Sequence, residues 1–141
     1  MISLRSVWAM AAIFVAWSVM DFVIHHLILG DAYAATADMW RPMAEMKMEL
    51  MYAVVAFAAF VFVYIYSRFF REKSINAGVM YGTLFGLTSG FSMGYGTYAV
   101  QPLLHEIALT WFIGVTVEGA VAGLLAGIIV KPRVPSTIAG T

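Results

Sequence analysis

The sequence predicts an all-α, polytopic membrane protein: a bundle of four transmembrane helices with both termini in the cytoplasm. Apolar residues make up 62% of the chain and charged residues 11%, whereas soluble domains contain about 45–50% and about 25%. A soluble domain of 141 residues could not bury so much apolar surface. Lipid can serve as the solvent instead, so we expect a single membrane domain over residues 1–141.

Four apolar runs are each long enough to cross a bilayer, which takes roughly 20 helical residues. They cover residues 6–29, 42–68, 75–98 and 107–130. The first run contains Asp21, His25 and His26, and the only charge in the fourth is Glu118. Residues 131–141 are polar and contain two prolines, so we predict a loose cytoplasmic tail there.

A cleaved signal peptide is the main alternative for the first run. Arg5 would supply its basic region, and Ala32-Tyr33-Ala34 is typical of a cleavage site. The apolar stretch is too long for such a peptide, however, and it carries Asp21 and His25 in its interior. We therefore predict a retained helix.

The distribution of positive charge predicts the orientation, because cytoplasmic loops are enriched in lysine and arginine. Six of the eight basic residues fall on one side of the predicted spans: Arg5, Arg68, Arg71, Lys73, Lys131 and Arg133. Arg41 and Lys47 fall on the other side. This pattern predicts cytoplasmic termini and an external loop between the first two spans.

Two features of the composition exclude classes of function. The formal net charge is zero, so there is no electrostatic basis for binding nucleic acid. The chain has no cysteine, which excludes disulfides, iron–sulfur clusters and thiolate chemistry.

Glycine recurs every four residues in the last two predicted spans. The positions are Gly78, Gly82, Gly86, Gly90 and Gly94 in the third, and Gly119, Gly123 and Gly127 in the fourth. Residues four apart share a helix face, and small residues let two backbones approach closely. We predict a glycine zipper that packs these helices together. The alternative is that one glycine face docks a second subunit.

Ionisable residues inside a membrane are costly and are candidates for function. The buried candidates are Asp21, His25, Glu49 and Glu118. Asp21 and His25 are four residues apart and share a helix face, so they could bind a metal, pass a proton or simply pair. Glu118 lies near the middle of the fourth span. We expect it to be hydrogen-bonded to Thr88, Ser89 or Ser92; a proton-relay or ligand site is the alternative.

A metal site near the external end is a further alternative. Its candidate ligands are Asp21, His25, Glu45, Glu49 and His105. Nearby methionines have thioethers suited to Cu(I), although methionine is also a common packing residue. The Glu-x-x-His pairs of di-metal helical bundles are missing from the sequence, and a haem between His25 and His105 is disfavoured. We predict no cofactor, with a metal ion left open.

The chain resembles a group of small, uncharacterised four-helix proteins of the bacterial inner membrane. The resemblance rests on Asp21-Phe22-Val23-Ile24-His25, Tyr33, Thr36, Trp40-Arg41-Pro42, Glu45-Met46 and Tyr98-Ala99-Val100. It implies a bacterial inner membrane. It implies no activity, so no catalytic residue is carried over.

Three functions are compatible with the sequence. We favour an accessory or interaction subunit of a larger membrane complex, because no soluble domain accompanies the spans and the glycine faces suit docking. An oligomeric carrier of protons, metal ions or small solutes, built on Asp21, His25 and Glu118, is the first alternative. A metal-binding or redox protein at the external face is the second. An enzyme is less expected, and the expected partners are the lipid bilayer and either another membrane protein or further copies of the chain.

Overall fold

The structure, a computed structural model, describes residues 3–130, and within that range every regular element is helical. The α-helices are α1 (Leu4–Phe22), α2 (Gly30–Ala35), α3 (Met48–Phe69), α4 (Ile75–Phe91), α5 (Thr97–Val100) and α6 (His105–Ile129). Two π-helical segments extend α1 and α4, at Val23–Ile28 and Ser92–Gly96. The all-α prediction is confirmed, and the predicted loose tail lies outside the described residues.

Three helices in the described part of the chain are long and apolar enough to cross a membrane. They are Leu4–Ile28, Met48–Phe69 and His105–Ile129. The first and third correspond to the first and fourth predicted spans. The third predicted span corresponds to three consecutive helical elements: α4, the π segment Ser92–Gly96 and α5.

Local sequence sets several helix ends. Ser3 and Ser74 precede α1 and α4, and each hydroxyl accepts a hydrogen bond from a backbone N–H three residues later. Serine is a favoured residue at this position because it satisfies an N–H that the helix leaves free. At the other end, Pro102 lies two residues after the last helical residue, Val100, where its ring prevents continuation.

The helix of the second predicted span begins later than the sequence predicts. Residues 42–47 are not part of α3; Met43–Glu45 forms a separate 3-10 turn, and α3 begins at Met48. Glu45 and Lys47 are charged and exposed, and such groups are solvated more readily in an interfacial turn than on a membrane helix. Glu49 lies in the first turn of α3, where negative charge favours a helix start.

Helix α1 packs between α3 and α6, and α6 also packs along α4. We call the end of the bundle where α1 begins and α3 ends the proximal end, and the opposite end, with α2, the distal end. The main apolar core is proximal and includes Ile13, Phe62 and Tyr66, which are fully buried. A second, smaller core is distal and includes Leu29, Ile107 and Trp111.

The glycines of α4 and α6 lie against each other. A methyl group added at Gly82 would overlap the carbonyl oxygen of Gly119, and one added at Gly86 would lie 2.7 Å from the carbonyl oxygen of Val115. Real side chains essentially never approach backbone so closely. The two backbones are therefore in direct contact along these faces, which leaves the glycines no room to receive another chain.

Candidate functional site

Glu118 is the buried carboxyl of the described chain. Its residue surface is 8% exposed, and its Oε1 atom has no hydrogen-bond partner within residues 3–130. The expected hydrogen bonds to the hydroxyl groups of Thr88, Ser89 or Ser92 are not formed. Thr88 donates instead to the carbonyl oxygen of Leu84 at 3.0 Å, four residues back on its own helix. Ser89 lines a groove with Phe70 and Tyr81.

Helix α1 brings a second carboxyl beside Glu118. The indole Nε1 of Trp17 donates to the backbone carbonyl oxygen of Glu118 at 2.9 Å. Asp21 follows Trp17 by four residues and so lies on the same face of α1. The carboxyl groups of Asp21 and Glu118 are close enough to interact. They do not form a hydrogen bond of good geometry, and Oε1 of Glu118 stays unpartnered.

His25 continues this polar face toward the distal end. Its Nε2 atom lies 3.8 Å from Oδ1 of Asp21, and the two side chains are 32% and 37% exposed. This separation is too long for a direct hydrogen bond. His25 belongs to the π segment Val23–Ile28, and π segments occur frequently at functional sites.

Tyr33 on α2 joins His25 to α6. Its hydroxyl oxygen lies 2.6 Å from Nδ1 of His25 and accepts a hydrogen bond of 2.8 Å from Nε1 of Trp111. Burial raises the pKa of the Tyr33 hydroxyl, although the Trp111 hydrogen bond acts in the opposite direction. Tyr33 is therefore a neutral hydroxyl at physiological pH. We call Glu118, Asp21, His25 and Tyr33 the polar row.

Aromatic side chains cover the distal end of the polar row. Trp40 packs edge-on against Tyr33 and Trp111, with ring centroids 5.1 and 6.1 Å apart. Its indole Nε1 donates to the Thr36 hydroxyl at 2.9 Å, and that hydroxyl donates to the carbonyl oxygen of Ala32. These contacts fix residues 30–40 over His25.

The other candidate site residues lie elsewhere. His105 contacts Tyr95, with 3.3 Å between Nε2 and the tyrosine hydroxyl, and packs edge-on against Tyr98. Glu45 and Glu49 are both exposed and occupy different elements. No three histidine or acidic side chains among residues 3–130 are close enough to hold a metal ion together.

Arg41 forms no ion pair within residues 3–130, where His25 and Asp21 form the only one. The metal site stays a prediction. Neither Tyr33 nor Trp111 was predicted as a site residue, yet both contact His25. A periodicity signal existed for one of them, since Trp111 precedes Glu118 by seven residues, two helical turns on one face.

The polar row is a chain of groups that can each give or take a proton. It begins at a buried carboxyl in the bundle and ends at a hydroxyl of the distal segment. Comparison with known proteins adds no family to this geometry: no protein-family model, curated protein or solved structure matches the chain.

Proposed function

We propose that this chain is a small membrane protein that transfers protons along the polar row. The observation that carries the proposal is the buried Glu118 carboxyl, whose Oε1 atom is unpartnered beside Asp21. An unsatisfied carboxyl is expensive to keep in a membrane and is retained where it has a function.

The chemistry of the row supports this function. Two carboxylates side by side repel each other, and a proton held between them removes the repulsion. Histidine and tyrosine are established carriers of protons in proteins. The gap between Nε2 of His25 and Oδ1 of Asp21 is 3.8 Å, which a small side-chain rotation or one water molecule can close.

The proposal includes a topology of four spans with both termini in the cytoplasm of a bacterial inner membrane. Helix α4, the π segment Ser92–Gly96 and α5 follow one another without a break, and together they are long enough to cross a bilayer. The bias of basic residues supports the orientation. Backbone contact between the glycine faces of α4 and α6 supports a glycine zipper. In this topology the polar row opens to the outside.

Proton flux into vesicles tests the function. The purified chain is reconstituted into liposomes that contain a pH-sensitive dye, and a potassium diffusion potential drives proton entry. We expect parent vesicles to change pH faster than empty ones, and Glu118→Gln and Asp21→Asn vesicles to match the empty ones. Glu106→Gln is the matched control, because Glu106 is an exposed carboxylate on the same helix.

Two results would refute proton transfer. The first is a parent flux equal to the leak of empty vesicles. The second is a parent flux that Glu118→Gln and Asp21→Asn leave unchanged while all variants remain folded and reconstituted to the same level.

An accessory subunit of a membrane complex is the second candidate. Its support is the distal half of α3, which exposes Leu50, Tyr52 and Phe57 and contributes no buried residue before Ala59. A helix of a partner protein would cover this surface. Extraction of native membranes in lipid nanodiscs, followed by intact mass measurement, tests this candidate. Recovery of the chain without any other protein would exclude it.

A further inference from the structure

The Tyr33 hydroxyl lies between two ring nitrogens whose roles can be assigned. An indole N–H can only donate, so Trp111 donates to the Tyr33 oxygen at 2.8 Å. The hydroxyl hydrogen of Tyr33 then needs an acceptor. Within residues 3–130 the only acceptor it meets is Nδ1 of His25, at 2.6 Å.

This pattern determines the position of the hydrogen on neutral His25. If Nδ1 accepts from Tyr33, the hydrogen of the ring must be on Nε2. Nε2 is the nitrogen that faces Asp21, at 3.8 Å. The opposite tautomer would direct a second donor at the Tyr33 oxygen and leave the tyrosine hydrogen without an acceptor.

We propose that Tyr33, held by Trp111, is a positioning residue that fixes His25 as its Nε2–H tautomer and directs that hydrogen at Asp21. The groups that face His25 are Asp21 and His26 from its own helix, Tyr33 from α2 and Trp111 from α6. His26 is exposed and packs at a tilt against Phe22. Tyr33 is therefore the group that decides which nitrogen of His25 accepts.

Within the proposed function, this arrangement gives proton transfer a defined order. The Nε2–H bond of His25 breaks as an O–H bond forms on Asp21. The O–H bond of Tyr33 breaks as an N–H bond forms on Nδ1 of His25, and water at the distal end restores the proton of Tyr33. One proton moves from water to Asp21, and the water is left as hydroxide. His25 is left as its Nδ1–H tautomer, and it regains the starting tautomer when Nε2 takes up a proton from water and Nδ1 releases one to water.

Nitrogen NMR of the full chain in nanodiscs tests the tautomer directly. The chain contains three histidines, so a His25→Gln sample identifies the resonances of His25. Spectra are recorded about two pH units above the ordinary histidine pKa of ~6.5. We expect His25 to show a protonated Nε2 and an unprotonated, hydrogen-bonded Nδ1.

Two substitutions, each with a matched control, distinguish a positioning role of Tyr33 and Trp111 from a general packing role. Tyr33→Phe is expected to shift the Nδ1 resonance to the position of a nitrogen without a donor, whereas Tyr98→Phe leaves it unchanged because Tyr98 contacts His105. Trp111→Phe is expected to shift it part of the way, whereas Trp8→Phe leaves it unchanged because Trp8 is 64% exposed at the proximal end of α1. If Trp111→Phe does not fold, the tyrosine pair carries the comparison.

A protonated Nδ1 in the parent would overturn the proposal, and so would equal shifts in Tyr33→Phe and Tyr98→Phe. The measurement does not depend on proton flux. The expected tautomer in a chain that moves no protons would uphold the positioning role and refute the proposed function. Proton flux in a chain whose His25 is the Nδ1–H tautomer would uphold the proposed function and refute the positioning role.

Discussion

Trp17 and Glu118 are joined by a hydrogen bond of 2.9 Å from the indole Nε1 to the backbone carbonyl oxygen, across 101 residues of sequence. The contact sets the register between α1 and α6. Because Asp21 lies one turn after Trp17 on the same face of α1, this register brings its carboxyl to that of Glu118. The geometry of the polar row therefore starts from a tryptophan that is not itself ionisable.

Trp17→Phe is expected to weaken this register. It removes the N–H donor and with it the interhelical hydrogen bond to the Glu118 carbonyl oxygen, at a cost of roughly 0.6–2 kcal/mol, as for interhelical hydrogen bonds in membranes. Equilibrium unfolding in mixed micelles measures the loss. Trp8→Phe serves as control because Trp8 is 64% exposed, and equal losses for the two variants would contradict the role assigned to Trp17.

Gly82→Ala is expected to destabilise the chain by about 1–3 kcal/mol, because overpacking forces backbones apart. The added methyl would overlap the carbonyl oxygen of Gly119. Gly96→Ala is the matched change, since the nearest atom to its new methyl is the Ser92 hydroxyl at 4.0 Å. Unfolding of both variants in the same micelles compares them; if Gly82→Ala is as stable as Gly96→Ala, the close approach of α4 and α6 is wrong.

The ionisation of Tyr33 is expected above pH 10. Burial raises its pKa from the ordinary 10.0, so the folded state keeps this proton at a pH where the unfolded state has lost it. The contribution of the Tyr33 hydroxyl to the free energy of unfolding is fully present below pH ~10. It is lost as the pH rises through the folded-state pKa. The difference in tyrosinate absorbance between parent and Tyr33→Phe measures the titration of the Tyr33 hydroxyl.

Trp111→Phe should move the same titration to higher pH, because the Trp111 N–H hydrogen-bonds the tyrosinate and so lowers the pKa. Trp8→Phe should leave it in place, since Trp8 is 64% exposed at the proximal end of α1. A downward shift in Trp111→Phe would show that this hydrogen bond does not favour the ionised form.

Single cysteines provide a test of the four-span topology, because the chain has none of its own. Ala35→Cys, Gln101→Cys and Glu72→Cys all lie at exposed positions. A membrane-impermeant maleimide added to spheroplasts should label the first two, and Glu72→Cys should react only after lysis. Labelling of Gln101 and Glu72 from the same side would mean that the region from α4 to α5 does not cross.

Most of the fold could be predicted from the sequence because the features that determine it are local. Apolar runs, serine caps and the glycine spacing of Gly82 and Gly86 all act within one or two helices. The start of α3 was predicted too early, since hydrophobicity alone does not reveal that Glu45 and Lys47 favour an interfacial turn.

Only part of the candidate site could be predicted from the sequence. Asp21 and His25 are neighbours along one helix, so their spacing predicted their approach. The Trp111–Tyr33 hydrogen bond joins residues 78 positions apart, and no local pattern encodes such a contact. For the same reason the sequence suggested hydroxyl partners for Glu118 on α4, whereas its neighbour Asp21 comes from α1.

The distance in sequence between Trp17 and Glu118 has a consequence for biosynthesis. A ribosome adds about 5–20 residues per second, so roughly 5–20 s separate the synthesis of the first helix from that of α6. Throughout that interval Asp21 has no carboxyl partner from its own chain. The insertion machinery or the lipid–water interface must accommodate it, and the site is completed only when α6 arrives.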